Sequence, residues 1–292
     1  MNVCLKCKEE NIKEENGLCP FSVGADNLPV RCFGFWAKDK LYYLERYMNI
    51  FNSAMKMKWP KRAYVELFAG PGLGIVRDSG NILRGSPLIA LDQPVPFARH
   101  IFIDINPDAI DALSKRTESL KPAADVKLII GDCNSSVEAI RKNVDSSYLI
   151  LTFIDPTGMQ AKFSTIRNLT RDLRMDLIIN FPLQAINRSY TYALQGHDQK
   201  YDDFFGSKEW RPTITGLTDM RSIGARLLDF YKNQLRTLGY EQFEDLSDDD
   251  ILVRGPKNIP LYYLFLASKS EIAHKFWKEI QKIRANKQRQ LL

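Results

Sequence analysis

Five short apolar runs, at residues 64–68, 100–104, 126–130, 148–154 and 175–181, alternate with amphipathic stretches, and this rhythm leaves few folds open. Runs of that length separated by helix-length segments predict parallel strands joined by right-handed helical crossovers. Helices are expected at 107–120, where Pro107 suits a first turn, at 135–143 with Ser135 as N-cap, and at 164–173. The first run passes directly into Gly70-Pro71-Gly72-Leu73-Gly74, a turn where backbone can come close to a ligand, with Glu66 near the strand end. A phosphate-cradling loop would need Lys and then Ser or Thr after its second glycine, where Leu73 and Gly74 stand. The dinucleotide fingerprint spaces its glycines G-x-G-x-x-G, and this chain has G-x-G-x-G.

After the fifth run the pattern changes. Residues 183–217 form a polar and aromatic insertion, read as a lid or recognition segment. A helix over 219–238 is closed by Gly239, a short strand is expected at 240–243, and a strongly apolar strand at 261–268 follows the turn-prone 255–258. Ser270 caps a final helix to about residue 284. In the insertion, Tyr190, Tyr192, Tyr201, Phe204, Phe205 and Trp210 are interleaved with Arg188, Lys200, Lys208 and Arg211. That mixture suits stacking on bases and contacting phosphates, and equally suits packing down on the sheet. Residues 1–59 read as an N-terminal extension, turn-rich at first and helical over 36–57; residues 60–292 read as the α/β domain.

Lysines and arginines exceed acids by six, which permits a polyanionic partner, nucleic acid included, without requiring one. The basic clusters at 56–62, 167–174 and 282–289 read as solvated helix faces. The start of the chain has no apolar leader and no window reaches about 18 apolar residues, so a cytoplasmic protein without a membrane span is expected. Histidines 100, 197 and 274 are scattered and support neither a catalytic triad nor a histidine metal site. Cys4, Cys7, Cys19 and Cys32 supply four thiols in a segment without a core of its own, enough for structural zinc. A reactive pair and ordinary reduced thiols are the alternatives, because the second close pair of a zinc ribbon is missing.

In an open α/β sheet, ligands bind beyond the carboxyl ends of the strands. There the sequence puts the glycine loop, Asp104, Asp132 with Cys133, Asp155 with Pro156, and Asn180. A carboxylate after the second strand can accept from both ribose hydroxyls, and one after the third from the exocyclic amine of adenine. Cys133 reads as a small apolar filler rather than a nucleophile. This order resembles the class I methyltransferases that use S-adenosylmethionine (SAM): a Rossmann-like fold with a seven-stranded, mostly parallel sheet and an antiparallel last strand. On that resemblance Glu66, Phe68, Gly70, Gly72 and Gly74 belong to the methionine end of the cofactor pocket, Asp104 to the ribose, and Asp132 with Cys133 to the adenine. Asp155-Pro156-Thr157-Gly158 resembles the Asp-Pro-Pro-Tyr tetrapeptide of amino-group methyltransferases, with Thr157 and Gly158 in place of the second proline and the aromatic.

From about residue 31 to 210 the chain is similar to the three-Cys-motif partner family, TcmP, through Trp36-Ala-Lys-Asp-Lys-Leu, Tyr64-Val-Glu-Leu-Phe-Ala-Gly-Pro-Gly, Gly85-Ser-Pro-Leu-Ile-Ala-Leu, Gly131-Asp-Cys-Asn, Phe153-Ile-Asp-Pro and Asn180-Phe-Pro with Asn187-Arg188. The resemblance implies a methyltransferase-like fold, catalytic roles for Asp155, Pro156 and Asn180, substrate contacts from Asn187 and Arg188, and a radical-SAM-type three-Cys-motif protein as partner. Nucleic acid is the favoured acceptor. The rival expectation is a catalytically silent adaptor that kept the fold.

Overall fold

A computed structural model describes residues 17–77, 79–196, 198–240 and 250–289, with side chains to residue 282. Cys4, Cys7, His197 and most of the strand expected at 240–243 lie outside the described residues. Two compact units divide the chain, Met1–Leu151 and Thr152–Leu292. No described helix is long and apolar enough to cross a membrane.

The first unit opens with β1 (Arg31–Phe33) and α1 (Ala37–Met55), followed by β2 (Arg62–Glu66), β3 (Leu73–Val76) and β4 (Ile82–Arg84). Then come α2 (Ser86–Leu91), β5 (Arg99–Asp104), α3 (Pro107–Leu120), β6 (Val126–Ile130) and α4 (Val137–Arg141). The second unit contains α5 (Phe163–Thr170), β8 (Arg174–Phe181), α6 (Leu183–Asn187), α7 (Tyr190–Leu194), α8 (Gln199–Phe205), α9 (Trp210–Ile214), α10 (Met220–Arg236), β9 (Ile251–Arg254), β10 (Pro260–Ala267) and α11 (Glu271–Arg289); β7 (Leu149–Ile154) runs across the division.

Seven strands form one sheet in the order β6-β5-β2-β7-β8-β10-β9. Numbered among themselves, these strands read 3-2-1-4-5-7-6. β2, β5 and β6 pair in parallel, whereas β10 is antiparallel to both β8 and β9. The last strand in sequence is therefore inserted between its two predecessors, the arrangement expected for a Rossmann-like methyltransferase sheet. The sixth strand of this sheet is Ile251–Arg254, and Tyr240, the one described residue of the strand expected at 240–243, is buried with its hydroxyl donating to the carbonyl of Met175 at 2.8 Å.

Local signals explain most boundaries. Asn106 caps α3 by accepting from the amide of Asp108, and Pro107 supplies a first turn that needs no amide. Asp219 caps α10 by accepting from the amide of Ser222. α4 is shorter than expected, because the hydroxyls of Ser135 and Ser136 both donate to the carbonyl of Asp132 and hold a turn there instead.

The glycine loop runs into a strand, not a helix. β3 pairs with β1 in parallel and with β4 antiparallel, making a second, three-stranded sheet from the N-terminal extension and the segment after the glycine loop. Arg62, expected on a solvated face, is buried: it donates to Asn52 at 2.9 Å and to the carbonyls of Trp59 and Pro96 at 2.6 and 2.9 Å. This binds the end of α1 to the start of β2.

In the second unit the insertion folds as short helices in which four of the rings are core, whereas Tyr190 is half-buried and Tyr192 is exposed. Tyr201, Phe204, Phe205 and Trp210 are at most 2% exposed. Phe204 stacks on Tyr231 of α10 at 4.9 Å, and Phe181 of β8 lies 5.8 Å from Phe204. Each such side chain contributes roughly 1.5–3 kcal/mol by leaving water. Arg211 covers Trp210 at 4.7 Å and pairs with buried Asp202 at 2.6 Å, so this cation too is committed to packing.

Candidate functional site

Within the first unit, the carboxyl ends of β2, β5 and β6 bring together Glu66, Phe68, Gly70, Gly72, Asp104, Asp132 and Cys133. Register sets the arrangement: Glu66 lies beside Phe102, and Asp104 beside Ile130. The amide of Gly70 donates to Asp104 Oδ2 at 2.8 Å, and the amide of Asn106 to Oδ1 at 2.9 Å. Each Asp104 oxygen retains a lone pair, the acceptor set a vicinal diol requires.

The loop is clamped from several sides. The amide of Gly85 donates to the carbonyl of Gly72 at 2.7 Å, and the amide of Ala69 to that of Ile103 at 2.8 Å. Arg116 of α3, 4% exposed, spends its whole fork here: Nε and Nη2 on Asp26 at 2.7 and 2.9 Å, Nη2 on the carbonyl of Leu28, and Nη1 on those of Pro29 and Pro71 at 2.8 and 2.5 Å. The guanidinium beside Asp26 holds that carboxyl below its usual range.

Glu66 is fully buried; its carboxylate accepts from the hydroxyl of Tyr64 at 3.0 Å and from that of Ser86. It anchors the start of α2 to β2. The glycines are explained by their surroundings. Gly70 and Gly72 have φ of +63° and +85°, and a Cβ on Gly72 would fall 2.9 Å from Leu113. Gly74 sits inside β3, where the ring of Phe33 fills the place of a side chain. Phe68 is half-buried.

Asp132 Oδ1 accepts from the amide of Asn134 at 2.8 Å. Burial, with the adjacent Asp132 charge, pushes the Cys133 thiol up to about 12, so it stays protonated. Ile105 and Ile130, directly after Asp104 and directly before Gly131, are 67% and 60% exposed. Two large apolar side chains presented at the strand ends offer a surface for a flat aromatic group. Neither was singled out in the sequence; the signal for Ile105 is an apolar residue following a strand-terminal acid.

The second unit holds the other candidates. Asn180, 6% exposed in β8, donates from Nδ2 to Asp155 Oδ1 at 2.6 Å, which turns its own carbonyl away; that carbonyl oxygen is buried without a hydrogen-bond partner. Asn187 Oδ1, at the end of α6, is likewise buried and unpartnered. Pro156 is buried and Thr157 exposed; Gln160 closes the turn by accepting from the amide of Gly158 at 2.7 Å. A Cβ on Gly158 would lie 3.7 Å from Ala185, so this turn touches α6. Arg188 is exposed and donates to Gln184 at 3.1 Å. A separate open cavity of about 310 Å³, lined by Ser164, Arg167, Gln199, Asp203 and Lys208, contains none of these groups.

Cys19 and Cys32 are buried in one small cluster with Val30 and Ile75. Among the described residues no group of three or more His, Cys, Asp or Glu is placed to hold a metal ion.

No family model matches the chain, and no curated protein does. Solved structures do. Trm1 from Pyrococcus horikoshii, in complex with SAM, matches at 13% identity and a TM-score of 0.46 over 81% of this chain and 56% of its own. Cofactor-bound Rv0187 from MTB matches at 11% and 0.44 over 92% and 88%. The O-methyltransferase TomG from Streptomyces achromogenes, in complex with SAM, matches at 12% and 0.43 over 92% and 91%. The fold assignment itself stands on the strand order.

Proposed function

We propose that the protein is a SAM-dependent methyltransferase of the three-Cys-motif partner type. The observation that carries this reading is Asp104, at the end of the second sheet strand, hydrogen-bonded to the glycine loop in a 3-2-1-4-5-7-6 sheet. Asp104 accepts from the ribose hydroxyls, Asp132 from the adenine amine, and Ile105 packs on the base. The buried Glu66, with Tyr64 and Ser86, acts by fixing the start of α2 against β2, not by touching the cofactor. SAM, when bound, supplies a methyl group on a positively charged sulfur, displaced in line by a nucleophile. Transfer of that kind depends mostly on positioning.

Asp155 accepts a hydrogen bond from the acceptor's nucleophilic group and orients its lone pair, with Pro156 fixing the turn. Asn180 holds the Asp155 carboxylate in one orientation, and its unpartnered carbonyl calls for a second donor from the acceptor. Asn187 adds a third acceptor of the same kind. Carbonyls and a carboxylate select an acceptor rich in N–H or O–H groups. Nucleic acid remains the favoured acceptor on net charge, with phosphate contacts assigned to exposed Arg188, Lys200 and Lys208. Tyr201, Phe204, Phe205 and Trp210 are buried and lend no support to base stacking, which leaves exposed Tyr192 as the ring for that role. A three-Cys-motif protein as partner, and zinc on Cys4, Cys7, Cys19 and Cys32, complete the proposal.

The test has two parts. Calorimetry with SAM is expected to show binding that Asp104→Ala weakens by roughly 100-fold with the fold intact, the scale of two hydrogen bonds to a charged group; unchanged affinity removes Asp104 from the site. Radiolabelled methyl donor, offered to nucleic-acid, protein and metabolite fractions, identifies the acceptor. Asp155→Ala should lose transfer while keeping SAM affinity; an adaptor would label nothing even as wild type.

A further inference from the structure

Arg31 is a described cation of the first unit whose surroundings packing alone does not explain. It lies in β1 opposite Gly74, half-buried. Its guanidinium fits between two glycines in the left-handed region, Gly17 at φ +77° and Gly70 at φ +63°. A Cβ built on Gly17 would stand 3.5 Å from Nη2, and one on Gly70 3.6 Å from Nη1. Both ends of the fork therefore lie against bare backbone. Among the described residues it makes neither a hydrogen bond nor an ion pair, in contrast to Arg62, Arg99 and Arg116, which are tied to carboxylates, an amide or carbonyls.

The neighbouring loop cannot itself serve an anion at this point, because the amide of Gly70 is committed to Asp104. The acids around the loop, Asp104 and Asp132, repel one. A half-buried guanidinium without an acceptor is costly, and its planar fork matches a carboxylate in two parallel hydrogen bonds. We propose that Arg31 reads the anionic end of the ligand held by the glycine loop, and that this end is the α-carboxylate of an amino-acid-bearing nucleoside. The assignment rests on the SAM reading above and extends it to a residue of the N-terminal extension.

The test compares two ligands that differ in the invoked group. S-adenosylhomocysteine carries the carboxylate; 5′-methylthioadenosine keeps the thioether nucleoside and lacks it. AMP serves as the phosphate alternative. Calorimetry is run on wild type, Arg31→Ala and Arg31→Lys, with circular dichroism verifying the fold. Arg31→Ala is expected to weaken S-adenosylhomocysteine about 10- to 100-fold, the range for a charged hydrogen-bonded contact, and to move 5′-methylthioadenosine by no more than about twofold; Arg31→Lys should recover part of the loss. Equal losses for both ligands would mean that Arg31 only shapes the loop and would overturn the assignment, as would loss of neither. AMP bound more tightly than S-adenosylhomocysteine, and lost in Arg31→Ala, overturns the carboxylate in favour of a phosphate. Wild-type protein that binds neither nucleoside overturns the assignment and the SAM reading together, whereas S-adenosylhomocysteine binding untouched by Arg31→Ala overturns the assignment alone.

Discussion

The glycine loop of the first unit and the Asp155 turn of the second treat their polar atoms in opposite ways. Around the loop, Gly70, Gly72, Pro71 and Glu66 are tied to Asp104, Gly85, Arg116 and Ser86. Around Asp155, the carbonyls of Asn180 and Asn187 are buried with no donor. A satisfied network is rigid before anything binds, and an unsatisfied buried carbonyl is held at a cost by the rest of the fold. The contrast teaches that one region is internally satisfied and set in advance, while the other keeps unmet acceptors, which on the proposed function are completed by the methyl acceptor.

The largest expected effect tests the rigid half. Arg116→Ala leaves Asp26 and three carbonyls without their shared donor, and should lower unfolding free energy by about 3–5 kcal/mol in denaturant titration. A loss below about 1 kcal/mol would show that the clamp is dispensable.

A somewhat smaller effect comes from His100 of β5, whose ring is buried against Ala90 and whose pKa falls from 6.5 to about 4, chiefly through burial. The unfolded chain binds a proton that the folded chain refuses, so the contribution is full above 6.5 and is lost as pH falls toward 4. Over that window about 3 kcal/mol should disappear, since lowering a pKa by one on folding corresponds to about 1.4 kcal/mol. Stability measured between these pH values in wild type and His100→Gln should differ in slope; parallel curves would rule this out.

The smallest effect has the opposite sign and belongs to the unsatisfied half. Asn180→Leu removes the orphan carbonyl at similar volume, and is expected to raise stability by about 1 kcal/mol while abolishing methyl transfer. A destabilised variant would mean that the Asn180–Asp155 bond contributes more than the bare carbonyl costs, and would erase the contrast between the regions.

Much of the fold was legible in the sequence because its signals are local. The five apolar runs, Pro107 at the start of α3 and Gly239 after α10 each mark their element without help from distant residues. That β10 is a strand followed from a strongly apolar segment late in the chain, and its antiparallel insertion was what the resemblance to class I methyltransferases implied. The sixth strand was not legible: Ile251–Arg254 is short, and only Val253 among its residues is fully buried, so its periodicity is weak. Nor was the second sheet, in which β1 of the extension pairs with β3 beyond the glycines; such pairing depends on contacts more than forty residues apart. Asp104 and Asp132 could be named from their place after apolar runs, whereas Arg116 and Arg31 stand in stretches with no motif and acquire meaning only from the backbone they meet in three dimensions.

The state of Cys133 carries a consequence for self-protection. A methyl sulfonium alkylates sulfur anions readily, so a thiolate lodged beside the donor would consume it and inactivate the chain. With its ionisation pushed up to about 12, Cys133 stays a thiol at neutral pH, and on the proposed SAM reading the pocket would remain chemically quiet toward the electrophile it holds.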